Sequence, residues 1–430
     1  MTTTREETLS AEAIADLQEA AWAEAYRYAF ARSPFYREHL NRAGLTATDR
    51  PRLAELGRIP PIDKSVLSEQ SEAFLCVPRR KVVDVVTTSG STGQPLVYLL
   101  TERDLRRLAL NEHHSFRCAG LSRSDTVVLA VTLDRCFMAG MAYFLGLRRL
   151  GCAIARVGPA TPVMHLDLLR RVQATAIVGV PSFLGLLADK AAETGVSLAG
   201  LGVRTVVCIG EPIRNDDLTL NRTGAAIEQR WDAKAFSTYG ITELASSLCE
   251  CPAGQGGHLH PELLYLEALD EAGDPVPDGQ VGELTATTFG VEAMPLIRYR
   301  TGDFAAIHRA PCACGRHSLR VGPIVGRKGH KLKLKGTTIF PATLQAVLDT
   351  VPEVASFVIL ARRESDLSDA VEVRVACTTD PDRVLALLRE RFRGEAKVTP
   401  QLTLASSAEI EALQMPEGTR KRSSFVDLRN

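Results

Sequence analysis

Apolar positions along the chain recur with two different periods. After Ser10, the residues Ile14, Leu17, Ala21, Ala25 and Tyr28 return at helical steps, which predicts a long helix up to the Ser33-Pro34 break, followed by a loop carrying Phe35 and Tyr36. From Lys81 to about Val207, short β-rich runs (VVDVV, DTVVLAVTL, ATAIVGVP) alternate with helix-length stretches (TERDLRRLALNEHHSFRCAG, AYFLGLRRLG, SFLGLLADKAAE). Strands alternating with crossover helices predict parallel α/β layers. Beyond Leu248 Gly, Pro and Asp cluster between the short strands LLYLEAL, GELTATT and DFAAIH, which predicts an antiparallel subdomain. Around Gly326 the basic stretch GRKGHKLKLKG leads into a helix (PATLQAVLDTVPEV), two strands (ASFVILAR, AVEVRVAC) and a helix (DRVLALLRERF). The fold class expected is therefore α/β: residues 1–325 as a large domain of layered α/β sheets with an antiparallel β part, and residues 326–430 as a small α+β domain.

Composition narrows the function. A chain of 430 residues allows two or three domains of about 150 residues each. Hydrophobic residues at 45% and charged residues at 24% exclude disordered and fibrous classes. Lys+Arg and Asp+Glu balance at 51 each, so no whole-protein field draws the chain to nucleic acid or to an anionic membrane, and neither partner is expected. No apolar run approaches the ~18 residues of a membrane span. The stretch MTTTREETLSAEAIA has no apolar leader core, which points to a cytoplasmic location. Ten cysteines are too sparse for a disulfide scaffold, and four of them fall in two C-x-C pairs that suggest metal.

The segment Thr87-Thr88-Ser89-Gly90-Ser91-Thr92-Gly93-Gln94-Pro95 follows a predicted strand. Its glycines let backbone N–H groups approach an anion, and its hydroxyls can surround phosphate oxygens. It is not a Walker loop, since the chain has no Gly-Lys dipeptide. Three further segments follow in order: Ser237-Thr238-Tyr239-Gly240-Ile241-Thr242-Glu243, then Tyr299-Arg300-Thr301-Gly302-Asp303, then Gly326-Arg327.

Taken together, these four segments resemble the adenylate-forming (acyl-CoA synthetase) superfamily. YAFARSPFYREHLNRAGL, IPPIDKSVL, GLRRLG, Val180-Pro181-Ser182, Gly210-Glu211-Pro212, CACGR and KGTTIFP make the chain most similar to the phenylacetate-CoA ligase family, from about residue 25 to 430. The resemblance implies ATP-dependent formation of an acyl-adenylate (acyl-AMP) from an aromatic carboxylic acid, then transfer to coenzyme A, with the small domain mobile between the two steps. The rival within the enzyme class passes the acyl group to a carrier-protein thiol or an amine in secondary metabolism. The resemblance leaves the oligomeric state open, a homodimer among the options.

By the same resemblance, Ser89, Gly90, Ser91, Thr92 and Gly93 hold the β- and γ-phosphates, and Gly210, Glu211, Pro212, Ser237, Thr238, Tyr239 and Gly240 line the nucleotide site. Tyr239 lies against adenine, Thr242 binds the α-phosphate, Glu243 holds Mg²⁺, Asp303 accepts the ribose hydroxyls, and Arg327 acts at the domain junction. Adenylation needs a cation where two anions meet. Lys421 in Pro416-Glu417-Gly418-Thr419-Arg420-Lys421 is the candidate, although the family's glycine before it is Arg420 here and a solvated basic tail is the alternative. The family's acidic residues after Gly-Arg are replaced by Lys328, Gly329 and His330. Lys328, Lys331, Lys333 and Lys335 fit either phosphate attraction or a lysine-protected strand edge.

Cys251, His258, Cys312 and Cys314 make an S₃N donor set, the composition of a closed structural Zn²⁺ site, and match metal-bearing members of the resembling branch. Spacing alone leaves Cys249 open in place of Cys251, and His260 in place of His258. By position in the family, Phe137, Gly140, Pro181 and Cys208, together with Met138, Val180 and Ser182, would line the acyl pocket; core packing is the other reading of Phe137.

Overall fold

Ser10 opens the first helix, Ala11–Arg32, its hydroxyl accepting from the Ala13 N–H at 3.2 Å. The expected loop after Ser33 is instead a second helix, Pro34–Arg42. Ser33 ends one helix with its N–H on the Ala29 carbonyl and starts the next with its hydroxyl on the Tyr36 N–H. Pro34 sits where no helical N–H is needed. Phe35 and Tyr36 are thereby buried, Phe35 stacking on Phe74 with ring centroids 4.0 Å apart. The computed structural model describes residues 9–88, 96–158, 160–334, 337–365, 368–415 and 423–429. The chain divides into two units, residues 1–323 and 324–430.

In the first unit, β1 (Val82–Thr87) and β2 (Val97–Thr101) form a separate antiparallel hairpin. The main sheet contains β3 (Thr126–Leu129), β4 (Ala153–Arg156), β5 (Ala176–Gly179), β6 (Thr205–Ile209) and β7 (Lys234–Ile241). It continues with β8 (Ser246–Glu250), β9 (Gly257–His258), β10 (Leu264–Leu269), β11 (Val281–Thr288), β12 (Tyr299–His308) and β13 (Arg320–Val321). The order is β10-β11-β12-β13-β9-β8-β7-β6-β5-β3-β4. Strands β4, β3, β5, β6 and β7 are parallel, joined by the helices Met138–Leu150, Pro162–Arg171, Pro181–Glu193 and Arg222–Trp231. From β7 to β8 onward every pairing is antiparallel. The expected α/β layers with an antiparallel part are therefore the observed architecture.

Both faces of the parallel part are covered. Val128, Ile177, Val206 and Cys208 pack with Leu169, Leu184, Leu187 and Trp231. Their strand neighbours Val127, Leu129, Val178, Val207 and Ile209 pack with Phe116, Tyr143 and Leu147 on the other face. Strands buried on both sides read as continuous apolar runs, which is why the sequence shows no polar alternation there. Helices Glu102–Cys118 and Met138–Leu150 approach so closely that a Cβ on Gly146 would lie 2.2 Å from the Glu112 Cβ; only glycine fits.

The second unit pairs strand Val354–Ser365 with Ser368–Cys377 antiparallel, and adds Gln401–Leu404 and Phe425–Asp427 in parallel at the two edges. Helices Pro341–Asp349 and Pro381–Arg391 cover one face through Leu344, Leu348, Leu385 and Leu388. Among the described residues no helix is long and apolar enough to cross a membrane.

Candidate functional site

Strand β7 ends in the one-turn 3₁₀ segment Thr242–Leu244, and Ala245, at φ +45°, reverses the chain into β8. The hairpin is tight: Tyr239 pairs with Leu248 and Gly240 with Ser247, and a Cβ on Gly240 would press within 3.0 Å of the Ser246 carbonyl. This turn and β12 bring two of the sequence motifs together. The Tyr239 hydroxyl donates to Asp303 Oδ2 at 3.0 Å, and the Tyr299 hydroxyl donates to Glu243 Oε1 at 3.2 Å. Burial, with Glu243 beside it, pushes the Tyr299 phenol well above its ordinary pKa, so it remains a donor.

A third element completes this corner. Ile62 bridges to Tyr299 in parallel, its N–H on the Arg298 carbonyl (3.0 Å) and its carbonyl on the Arg300 N–H (2.7 Å). Buried Arg298, at φ +49°, fixes the crossing by a two-pronged contact to Glu267 and a bond to the Ile59 carbonyl at 2.9 Å. The next residues are Asp63, which caps the helix Lys64–Glu69, and Lys64, whose Nζ lies 3.7 Å from Glu243 Oε1. Sequence reasoning missed Lys64. Its segment, IPPIDKSVL, was legible only as a resemblance, because the contact depends on the bridge to β12.

The loops after the parallel strands lie at one end of the sheet, where open α/β sheets receive ligands. Glu211 beyond β6 accepts from both the N–H (2.9 Å) and the hydroxyl (2.7 Å) of Ser182 beyond β5. This joins the Val180-Pro181-Ser182 and Gly210-Glu211-Pro212 segments, with Gly210 at φ +74°. On the neighbouring strand, Ser237 donates its N–H to Glu250 Oε2 (3.0 Å), and Arg214 donates to the other oxygen of that carboxylate at 2.5 Å. Thr238 places its hydroxyl 3.4 Å from Cys249 Sγ.

The residues expected around the acyl group do not share one surface. Cys208 is wholly buried and faces the layer of Leu184 and Trp231, whereas Phe137 packs half-exposed against the opposite layer. Gly140 is buried against the Thr132 carbonyl, and Pro181 opens the helix after β5. Strand alternation explains the separation: Val207 and Ile209 face the Phe137 side, so Cys208 between them cannot. Ser89, Gly90, Ser91, Thr92, Gly93 and Lys421 lie outside the described residues. Arg327 is an exposed residue of the second unit. The substituted segment Lys328–His330 is a short turn in that unit, and Arg429 donates to the carbonyls of Gly329 (2.7 Å) and Lys331 (2.6 Å).

Cys251, His258, Cys312 and Cys314 converge, their ligand atoms all within 4.8 Å of one another. Cys251 Sγ lies 3.7 Å from Cys312 Sγ, and Cys314 Sγ lies 3.5 Å from His258 Nε2. These are close to the ~3.8 Å and ~3.6 Å edges of a tetrahedron with metal–sulfur bonds of about 2.3 Å and metal–nitrogen bonds of about 2.0–2.1 Å. His258 Nδ1 is held 3.2 Å from Ser318 Oγ, which leaves Nε2 for the cluster. Burial raises the Cys251 thiol to about 12. Burial also acts upward on Cys314, but hydrogen bonds from His258 and Arg316 outweigh it and bring that thiol down to about 5. Cys249 and His260 stand apart from this cluster, Cys249 within β8 and His260 against Ser115 Oγ at 3.1 Å, so the group that could hold a metal ion consists of Cys251, His258, Cys312 and Cys314.

Residues 39–292 match the family model described as AMP-binding enzyme. The chain is 30% identical over 446 positions to the phenylacetate-coenzyme A ligase of Thermus thermophilus, covering 98% of this chain and 97% of that one. It is 26% identical over 443 positions to the phenylacetate-coenzyme A ligase of Escherichia coli, covering 99% and 97%. The fold matches a solved 2-hydroxyisobutyryl-CoA ligase in the postadenylation state in complex with R3-HIB-AMP. That match has a TM-score of 0.86 at 22% identity and covers 99% of this chain and 91% of that one.

Proposed function

The chain belongs to the AMP-binding enzyme family, and from that premise we propose that it is an AMP-forming acyl-CoA ligase. A carboxylate oxygen attacks the α-phosphorus of ATP and pyrophosphate leaves; the thiol of coenzyme A then attacks the acyl carbon and AMP leaves. The observation that carries this reading is the convergence of Tyr239 on Asp303 and of Tyr299 and Lys64 on Glu243, all at one corner of the sheet.

In this reading Tyr239 stacks on adenine while its hydroxyl orients Asp303 to accept the ribose hydroxyls. Thr242 donates to the α-phosphate. Glu243 would hold Mg²⁺, a hard cation that supplies charge neutralisation to the triphosphate. Lys64, beside Glu243, adds a second positive charge next to the same phosphates. Residues 89–93 are the proposed cradle for the outer phosphates, Arg327 is a proposed nucleotide-binding residue and Lys421 is the proposed cation for the adenylation step. An aryl acid is the proposed substrate, because Phe137, Val180 and Tyr143 belong to one apolar layer. Cys251, His258, Cys312 and Cys314 would hold Zn²⁺ with four protein ligands; such a closed site staples loops and leaves no position for a reactive water.

The test is a screen of aryl and alkyl acids with ATP and Mg²⁺, reading pyrophosphate release and hydroxamate formation with and without coenzyme A. Acid-dependent pyrophosphate release, and thioester when coenzyme A is present, is the expected result. No pyrophosphate with any acid refutes the proposal.

A further inference from the structure

Arg107 lies in the middle of helix Glu102–Cys118 and is 6% exposed. A buried guanidinium normally meets a carboxylate. Here it donates to the carbonyls of Phe289, Ala245 and Leu263, each at 2.6 Å, and to Ser246 Oγ at 3.2 Å. The nearby acids are otherwise engaged: Asp104 accepts from Thr101 and from the N–H groups of Glu292 and Ala293, and Glu262 faces His114 Nε2 at 3.2 Å. One fork therefore ties together three chain segments that are distant in sequence.

Two of its four acceptors belong to Ala245 and Ser246, which follow the Thr242–Leu244 turn. Ala245 sits in the left-handed region that side-chain-bearing residues avoid, and its N–H closes the turn on the Thr242 carbonyl at 3.0 Å. The guanidinium grips the carbonyl of that same strained residue. Releasing it would let Ala245 relax, and Thr242 and Glu243 would move with the turn.

We propose that Arg107 is a positioning residue for the magnesium–nucleotide complex. By holding the Ala245 carbonyl and the Ser246 hydroxyl, it keeps the Thr242–Leu244 turn in the conformation that presents Thr242 and Glu243 to the triphosphate. The inference rests on Glu243 being the magnesium ligand. Lysine cannot replace the fork: its three donors share one nitrogen, whereas the four acceptors are reached here from Nε, Nη1 and Nη2 of the planar guanidinium.

The experiment is a Mg²⁺ titration of the full chain, read in parallel as acid-dependent pyrophosphate release and, without acid, as equilibrium binding of a fluorescent non-hydrolysable ATP analogue. Arg107→Lys is expected to raise the half-saturating Mg²⁺ concentration about tenfold or more while the acid KM stays within about twofold. Adding Ala245→Gly to that variant should bring the Mg²⁺ requirement back to within about threefold of the parent, because glycine enters the left-handed region freely. Ser246→Ala keeps the guanidinium and removes one acceptor, so it remains readable if the lysine variant fails to fold; it should raise the requirement about threefold. An unchanged Mg²⁺ requirement in the folded variants overturns the proposal. So does a defect that Ala245→Gly leaves untouched or that falls equally on the acid KM. Glu243→Gln separates the two levels: if it titrates like the parent, the magnesium reading and the proposal fall together. If only Glu243→Gln is defective, the proposal falls alone.

Discussion

The Lys64 ammonium stands 3.7 Å from the Glu243 carboxylate, a partly exposed cation beside a buried anion. The separation exceeds a hydrogen bond, so the lysine is near enough to neutralise and free enough to turn toward an incoming phosphate. Lys64→Ala is expected to slow acid-dependent pyrophosphate release about 100-fold or more, with Tm within a few degrees of the parent. A variant that releases pyrophosphate at the parental rate would make this ion pair purely structural.

The proposed function asks two separable duties of Tyr239: its ring would stack on the base, while its hydroxyl bonds Asp303. Tyr239→Phe keeps the ring and is expected to raise the KM for ATP about tenfold or more, the worth of one hydrogen bond to a charged group. Tyr239→Ala should raise it further. Steady-state kinetics giving the same KM for both variants would remove the stacking role.

Lys421 is tested by substitution against its basic neighbours. Lys421→Ala is expected to lower the adenylation rate by about 10²–10³ while Arg420→Ala stays within about threefold. Single-turnover formation of the acyl-adenylate is the measurement. Equal loss in both variants would point to a diffuse basic tail instead of one catalytic cation.

Much of this corner is legible in the sequence. Tyr239 in β7, Glu243 in the turn after it and Asp303 in β12 each stand beside or near a glycine in a short polar segment, and such segments can be read as motifs without knowing the fold. Lys64 is not, because nothing local distinguishes it from the other surface lysines; it matters through the Ile62–Tyr299 bridge. Phe35 and Tyr36 were read as a loop because Ser-Pro commonly ends a helix, yet here it also starts one. That Cys208 and Phe137 fall in different layers was not legible for a different reason: β6 is apolar on both faces, so its sequence does not say which side each residue takes.

The cluster of Cys251, His258, Cys312 and Cys314 makes a prediction about metal and stability. Protein purified without chelator should carry one equivalent of zinc by elemental analysis. Cys314→Ser should lose the metal and lower Tm by about 5 °C or more, since a bound ion stabilises the folded state alone. Cys249→Ser should keep full metal content, because that thiol sits within β8. Adenylation at 25 °C should persist within about threefold in the metal-free variant, as expected of a site with no open coordination position. Zinc-free protein with the parental Tm would defeat the assignment.

Glu112 gives a pH dependence with a definite sign. Its carboxyl is 2% exposed, and burial raises its pKa from 4.5 to about 7, even though Ser247 and Asn111 donate hydrogen bonds to it. The folded chain therefore holds this proton more tightly than the unfolded one. Below pH ~4.5 both states are protonated and the group has no effect; between pH ~4.5 and ~7 the folded state binds more protons, so stability falls as pH rises. Above pH ~7 the loss is complete, at most about 3 kcal/mol from the size of the shift. Glu112→Gln removes the titration and keeps a side chain of the same shape beside Gly146. Thermal unfolding should then show the variant a few degrees more stable than the parent at pH 8 and indistinguishable at pH 4.5. A difference of the same size at both pH values would mean that the carboxylate is charged in the fold throughout, held by its two neutral donors, and that the buried proton does not exist.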